Sequence, residues 1–234
     1  QSSSVEAELP TLAPLQLRAI ASVLEGVPPL SAHWRQLVQF AAHYYQRSAG
    51  EVALAALPPQ LRELTGEQMA RRLKKHHGAS ADKSGPTPEK PPRVALTPEQ
   101  QQALDDMAER NGPFLLFGNT GSGKTEVYLR RVEALLSQDP EAQALLMVPE
   151  INLTPQLEAR VRERFQHWGD EAIVSMHSGM TPAQRLRSWL LAHTGRARIV
   201  LGTRMAIFAS LPKLRLIVVD EEHDPSYKQQ EGAR

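Results

Sequence analysis

Five short, almost unbroken apolar runs constrain this chain more than any other feature: PFLLFG at 113–118, ALLMVP at 144–149, AIVSM at 172–176, RIVLGT at 198–203 and RLIVVD at 215–220. Runs of this kind, without polar alternation, read as strands covered on both faces. Stretches with helical apolar spacing separate them, so the order is strand, helix, strand, repeated. That order implies an α/β fold in which a parallel sheet with right-handed crossovers lies between helix layers. Several helix starts are legible. Thr97 with Gln100 and Thr181 with Gln184 have the capping-box spacing, and Thr154 precedes a proline at the first helical position.

Upstream of residue 92 the pattern is different. From Leu12 to Leu57 apolar residues recur at helical spacing, in LRAIASVL at 17–24 and HWRQLVQFAAHYY at 33–45, with GVPPLS as the break between them. Two packed helices are expected there. Trp34, Tyr44 and Tyr45 fit either the core of that pair or a base-stacking platform, and their helical spacing in a chain with 5% aromatic residues favours the core. RRLKKHH at 71–77 reads as a solvated helix end, with electrostatic help for DNA as the alternative. GASADKSGPTPEKPP at 78–92 has nothing to bury. The expected organisation is a helical segment at 1–66, a basic, Pro/Gly-rich linker at 67–95 and the α/β unit at 96–234. There is no signal-peptide pattern and no apolar run long enough for a membrane helix. Cysteine is absent, which removes disulfides and thiolate zinc sites and fits a reducing cytoplasm. The chain starts at Gln1 rather than Met, so a longer protein is expected to extend upstream.

Gly118, Gly123, Lys124 and Thr125 fit the spacing G-x-x-x-x-G-K-[ST], between the apolar run 113–117 and a helix expected from Lys124. The chemistry needs these residue types. The backbone of Gly118, Asn119, Thr120, Gly121, Ser122 and Gly123 closes around phosphate oxygens, and the following helix points its positive end at the anion. Lys124 reaches the outer phosphates of ATP and stabilises transition-state charge there, while the Thr125 hydroxyl binds Mg²⁺. The other half of such a site is a carboxylate at the carboxyl end of a second strand. LIVVDEEHD supplies it: Asp220 is expected to hold Mg²⁺ and Glu221 to orient the attacking water as general base, beside Glu222 and His223.

A phosphate loop with a DEEH box resembles the superfamily 2 helicases and translocases, in which the histidine couples the ATP site to the nucleic-acid path. GNTGSGKTEVYL, MVPEINLTPQ, HSGMTPAQR, IVLGTRMAIFA and VVDEEHDPSYKQQEGAR, in that order, are similar to the successive motifs of the bacterial primosomal protein N-prime (PriA) family of replication-restart helicases, over about residues 96–234. HYYQRSAGEVALAALP at 43–58 resembles the segment that follows that family's N-terminal DNA-binding domain. The resemblance implies a RecA-like first motor lobe. It implies adenine recognition by Gln100, whose capping-box role is compatible with it. It implies contacts to the single-strand backbone from Pro149, Glu150 and Thr154, from Ser178, and from Thr203 and Arg204. Thr154 and Ser178 also fit plain helix N-caps, and Thr203 with Arg204 a capped strand end. DPSYKQQEGAR resembles a DNA-sensing loop, in which Tyr227 would stack on a base and Lys228 meet a phosphate, or else it is an ordinary surface loop.

For the intact protein the resemblance implies ATP- and Mg²⁺-dependent 3′ to 5′ translocation on single-stranded and forked DNA at stalled forks. The implied partners are primosome proteins and single-stranded-DNA-binding protein, and the implied setting is the bacterial cytoplasm. The Ser-Ala-Thr motif, the second motor lobe with its arginine finger and the zinc region are expected downstream, so this chain alone is expected to bind ATP with very weak turnover. The interval Thr65–Val94 is too short and polar for the winged-helix domain that many family members carry. Two other readings remain open from the residues: an RNA helicase or restriction-type translocase, and a nucleotide-switched binding module that does not hydrolyse.

Overall fold

The structure, a computed structural model, describes residues 23–24, 26–78 and 94–228. Its centre is a four-stranded parallel sheet in the order β2-β3-β1-β4, formed by β1 (Gln143–Met147), β2 (Ile173–Met176), β3 (Ile199–Gly202) and β4 (Leu214–Val219). Each strand is one of the apolar runs, and β1 and β3 are buried along their whole length. Parallel strands need long crossovers, and helices supply them. α6 (Pro155–Phe165) joins β1 to β2 and α7 (Pro182–His193) joins β2 to β3, a short turn at Arg204–Phe208 lies between β3 and β4, and α4 (Pro98–Glu109) and α5 (Lys124–Gln138) flank the phosphate loop ahead of β1. The expected starts hold: Thr97 and Thr181 form capping boxes with Gln100 and Gln184, and Thr154 caps α6.

Helices cover both faces. On one, Leu129, Val132 and Leu136 of α5 and Val161 and Phe165 of α6 pack on Ala144, Leu146, Ile199 and Leu201. On the other, Leu191 and Ala192 of α7 pack with Ala206 and Leu211 on Leu145, Met147, Val174 and Val200. Gln143 is fully buried at the start of β1, and its amide is satisfied: Nε2 donates to Ala192 O (2.8 Å) and Ala197 O (2.7 Å), and Oε1 accepts from Lys213 N (2.9 Å).

Two apolar runs depart from the expectation of strands covered on both faces. Residues 113–117 form no strand, and Phe114, Leu115 and Phe117 are 46%, 79% and 90% exposed. A strand needs a partner for its backbone groups as well as apolar side chains, and residues 113–117 pair with none of the four strands, not even along the open edge of β4. β4 is an edge strand whose burial alternates, with Ile217 and Val219 exposed.

The helical segment forms α1 (Ala32–Tyr44), α2 (Ala49–Ala56) and α3 (Gly66–Gly78). The expected helix at 17–24 lies almost wholly outside the described residues. α3 corrects the expected linker at 67–95, because its first part is a helix whose Met69 is fully buried against Leu186, Trp189 and Leu190 of α7. One apolar stripe in an otherwise basic sequence is enough to dock it. The rest of that stretch, 79–93, and the side chains of Lys74, Lys75, His76 and His77 lie outside the described residues. Trp34 is buried, and its Nε1–H donates to Phe208 O at 2.8 Å. Tyr44 and Tyr45 correct the expected core: with Phe40 they form an exposed aromatic group, Phe40 stacked on Tyr44 and Tyr45 edge-on to it. Phe40 and Tyr44 lie one turn apart on a side of α1 away from Val38, and Tyr45 is the C-cap residue just beyond the last turn.

Candidate nucleotide and nucleic-acid site

The phosphate loop is shaped by conformations that only glycine adopts cheaply. Gly123, at φ 84°, is the N-cap residue of α5, and a Cβ there would lie 2.3 Å from Gln100 Nε2. No side chain caps α5. The N–H groups of its first turn therefore face the loop without a side-chain acceptor, which suits a phosphate. Gln100 braces the loop, its Nε2 donating to Ser122 O (2.8 Å) while its Oε1 accepts from Thr97 N (3.0 Å). Lys124 Nζ donates to Gly118 O (2.6 Å) and Asn119 O (3.3 Å) and lies 3.7 Å from Glu221 Oε1. Asn119, Thr120, Gly121 and Ser122 are exposed.

The carboxylate half grows from β4. Asp220 N donates to Met147 O (2.8 Å), extending the β1–β4 ladder by one residue. The chain then turns sharply, with Glu221 at φ 47°. A non-glycine residue there is held at a cost of about 1 kcal/mol or more. Asp220 Oδ1 accepts from Glu221 N (3.1 Å), and Oδ2 accepts from the hydroxyl of Tyr128 on α5 (3.3 Å). Burial pushes the Asp220 carboxyl above the usual range, with the charge of Glu221 adding to it and the Tyr128 bond and Lys124 opposing it. Burial and the Asp220 charge also push the Tyr128 hydroxyl up, so Tyr128 is a neutral donor. Glu222 and His223 are exposed, and His223 Nε2 lies 3.6 Å from Glu221 Oε2.

The chain belongs to the DEAD/DEAH box helicase family. The model for that family matches residues 97–233, which hold the loop and both carboxylates. A second model, of a 3′ DNA-binding domain, matches residues 4–58. Curated relatives carry the name replication restart protein PriA. The protein from Bacillus subtilis is 42% identical over 146 residues, 60% of this chain and 17% of its own length. That from Treponema pallidum is 38% identical over 80% of this chain and 26% of its own, and that from Rickettsia prowazekii 33% over 94% and 29%. The chain thus spans between 17% and 29% of the length of these relatives.

In this helicase lobe the residues expected at nucleic acid fall into two groups beyond the carboxyl ends of the strands. Pro149 and Glu150 follow β1, and Glu150 accepts a hydrogen bond from Ser178, which follows β2. Thr154 is the α6 N-cap, its Oγ1 accepting from Leu157 N (3.2 Å). After β3, Thr203 is only 5% exposed, which leaves little of it for a backbone phosphate. Arg204 Nη1 donates to Ser226 O (3.4 Å) in the loop after the acidic box. Tyr227 is turned inward: its ring packs on the cluster behind β1 and β3, and its hydroxyl donates to Asp220 O (2.8 Å). Lys228 is exposed.

Sequence reasoning missed three residues that build this site. Tyr128 stands three residues beyond Thr125, a helical spacing that would have flagged it. Glu126, also on α5, is buried between Arg130 Nε (2.8 Å) and Arg164 Nη1 (2.9 Å), and Arg164 Nη2 also reaches Glu133 (3.3 Å). Burial raises the Glu126 carboxyl, and the two arginines outweigh that and hold it below the usual range. No sequence spacing marks Arg164, which comes from α6.

Proposed function

We propose that this chain carries the ATP-binding motor lobe of a DNA helicase that translocates 3′ to 5′ on single-stranded DNA and restarts replication at stalled forks in the bacterial cytoplasm. One observation carries the reading: Lys124 of the phosphate loop and Glu221 of the acidic box lie 3.7 Å apart, with Asp220 tied to the same loop helix. The donor set fits Mg-ATP. Glycine-shaped backbone and an uncapped helix start suit the phosphates, and a hydroxyl and a carboxylate, Thr125 and Asp220, suit a hard cation. When bound, Mg²⁺ neutralises charge on the phosphate oxygens.

The side chains do the rest. Lys124 donates to two loop carbonyls and forms an ion pair with Glu221. An arriving phosphate draws the ammonium to itself and frees Glu221 to take a proton from water. Arg204, its Ser226 contact and the Tyr227–Asp220 bond connect the stretch after β3 to the acidic box, a route by which backbone contact with DNA reaches the ATP site. Single-stranded and forked DNA, primosome proteins and single-stranded-DNA-binding protein are the proposed partners, and zinc belongs to a downstream region. Turnover by this chain alone is expected to be very weak, since an arginine from a second lobe is worth about a thousand-fold or more in such motors.

The test is titration of a fluorescent ATP analogue with Mg²⁺ into this chain and Lys124→Ala, with and without single-stranded DNA, while phosphate release is followed. Binding lost in the variant, with negligible release, supports a motor site. No binding by the unaltered chain refutes it, and rapid release refutes the claim that the second lobe is required.

A further inference from the structure

Two of the residues assigned to Mg²⁺ come from different elements, Thr125 from the first turn of α5 and Asp220 from the end of β4, and a buried hydroxyl one turn beyond Thr125 on α5 reaches Asp220. Tyr128 is 9% exposed. Its hydroxyl donates to Asp220 Oδ2 at 3.3 Å. A phenol has one proton to give. Here that proton goes to Asp220.

We propose that Tyr128 is a positioning residue for the cation, reaching from the loop helix to hold the Asp220 carboxylate in the orientation in which its other oxygen faces the metal. The bond from Tyr128 orients that carboxylate before the cation arrives. It also links the loop helix to the acidic box without the nucleotide. The ring is held for this task by the packing of α5 and α6 on the sheet, where Tyr128 belongs to the same cluster as Leu129, Val132 and Phe165.

The inference rests on the nucleotide-site reading, and the test separates the two. Affinity for a fluorescent ATP analogue is measured with saturating Mg²⁺ and again in EDTA, for the unaltered chain, Tyr128→Phe, Asp220→Asn and the double variant. Phe keeps the ring and its packing and removes only the hydroxyl. The expected result is that Tyr128→Phe binds within about two-fold of the unaltered chain in EDTA but loses about ten-fold of the Mg²⁺-dependent gain, the worth of one hydrogen bond to a charged group. In the Asp220→Asn background the same change costs clearly less, because its partner carboxylate is gone. An unchanged Mg²⁺ gain in Tyr128→Phe overturns the inference. So does an equal loss with and without the ion, which marks a merely structural role. An unaltered chain that binds equally in Mg²⁺ and EDTA overturns the site reading itself, and the inference with it.

Discussion

The two halves of the site are held in opposite ways. Asp220 is fixed by the sheet, its N–H on β1 and its side chain and carbonyl on Tyr128 and Tyr227. The phosphate loop has no such support on its upstream side, where residues 113–117 pair with no strand and Phe117 is 90% exposed. Support for the loop comes from its downstream helix, α5, which Arg164 and Arg130 clamp through Glu126, and from Gln100, which reaches across to Ser122. The carboxylates are therefore rigid before nucleotide binds. The loop is fixed only at its helical end, which is the end whose N–H groups meet phosphate.

Breaking the clamp on α5 has the largest expected effect. Arg164→Ala leaves Glu126 and Glu133 buried with less compensation, and loss of one partner of a buried ion pair costs about 3–5 kcal/mol. Urea denaturation reads this directly; a cost below about 1 kcal/mol would show that α5 is held by apolar packing alone. Lys124→Ala comes next, lowering nucleotide affinity about 10–100-fold through the loss of charged hydrogen bonds, while the urea midpoint moves little. Gly123→Ala places a side chain at φ 84° and against Gln100, with an expected cost of about 1–2 kcal/mol in stability and a weaker nucleotide site. Equal stability of Gly123→Ala and the unaltered chain would mean that Gln100 does not brace the loop.

The smallest effect concerns pH and the rigid half. Burial raises the Asp220 carboxyl, so folding favours its protonated form. The stability from this group is full below its unfolded value near about 3.9 and declines as pH rises through the folded value. At pH 7 Asp220→Asn is therefore expected to be slightly more stable than the unaltered chain while losing Mg²⁺-dependent binding, and the difference in stability shrinks as the pH is lowered toward about 4. A less stable Asp220→Asn chain at pH 7 would show that the carboxylate is well solvated or well paired. Together these variants separate the contacts that fix the loop from those that fix the acid.

Much of this arrangement was legible in the sequence. The four paired strands, the capping boxes at Thr97 and Thr181, the Thr154 cap and the start of α5 come from local rules, and local rules suffice for elements whose apolar faces match their period. The run at 113–117 fails for a non-local reason: it has the side chains of a strand, but the neighbours that decide pairing are set elsewhere in the chain. Tyr45 shares helical spacing with Trp34, but α1 docks on the Arg204–Phe208 turn through Trp34, while Tyr45 is the C-cap residue and stays exposed. Gln100, Lys124, Asp220 and Glu221 were readable because each sits at a fixed offset in a motif. Arg164 and the inward turn of Tyr227 were not, because their partners are set by how distant elements pack.

The most direct test of the central claim is amide hydrogen exchange across this chain, with and without a non-hydrolysable ATP analogue and Mg²⁺. Slow exchange in β1 and β4 in both states is expected, with fast exchange at 113–123 in the free chain and marked protection of 118–126 on addition of nucleotide. Protection that appears only outside 118–126, or none at all, would contradict the assignment of this loop as the phosphate site.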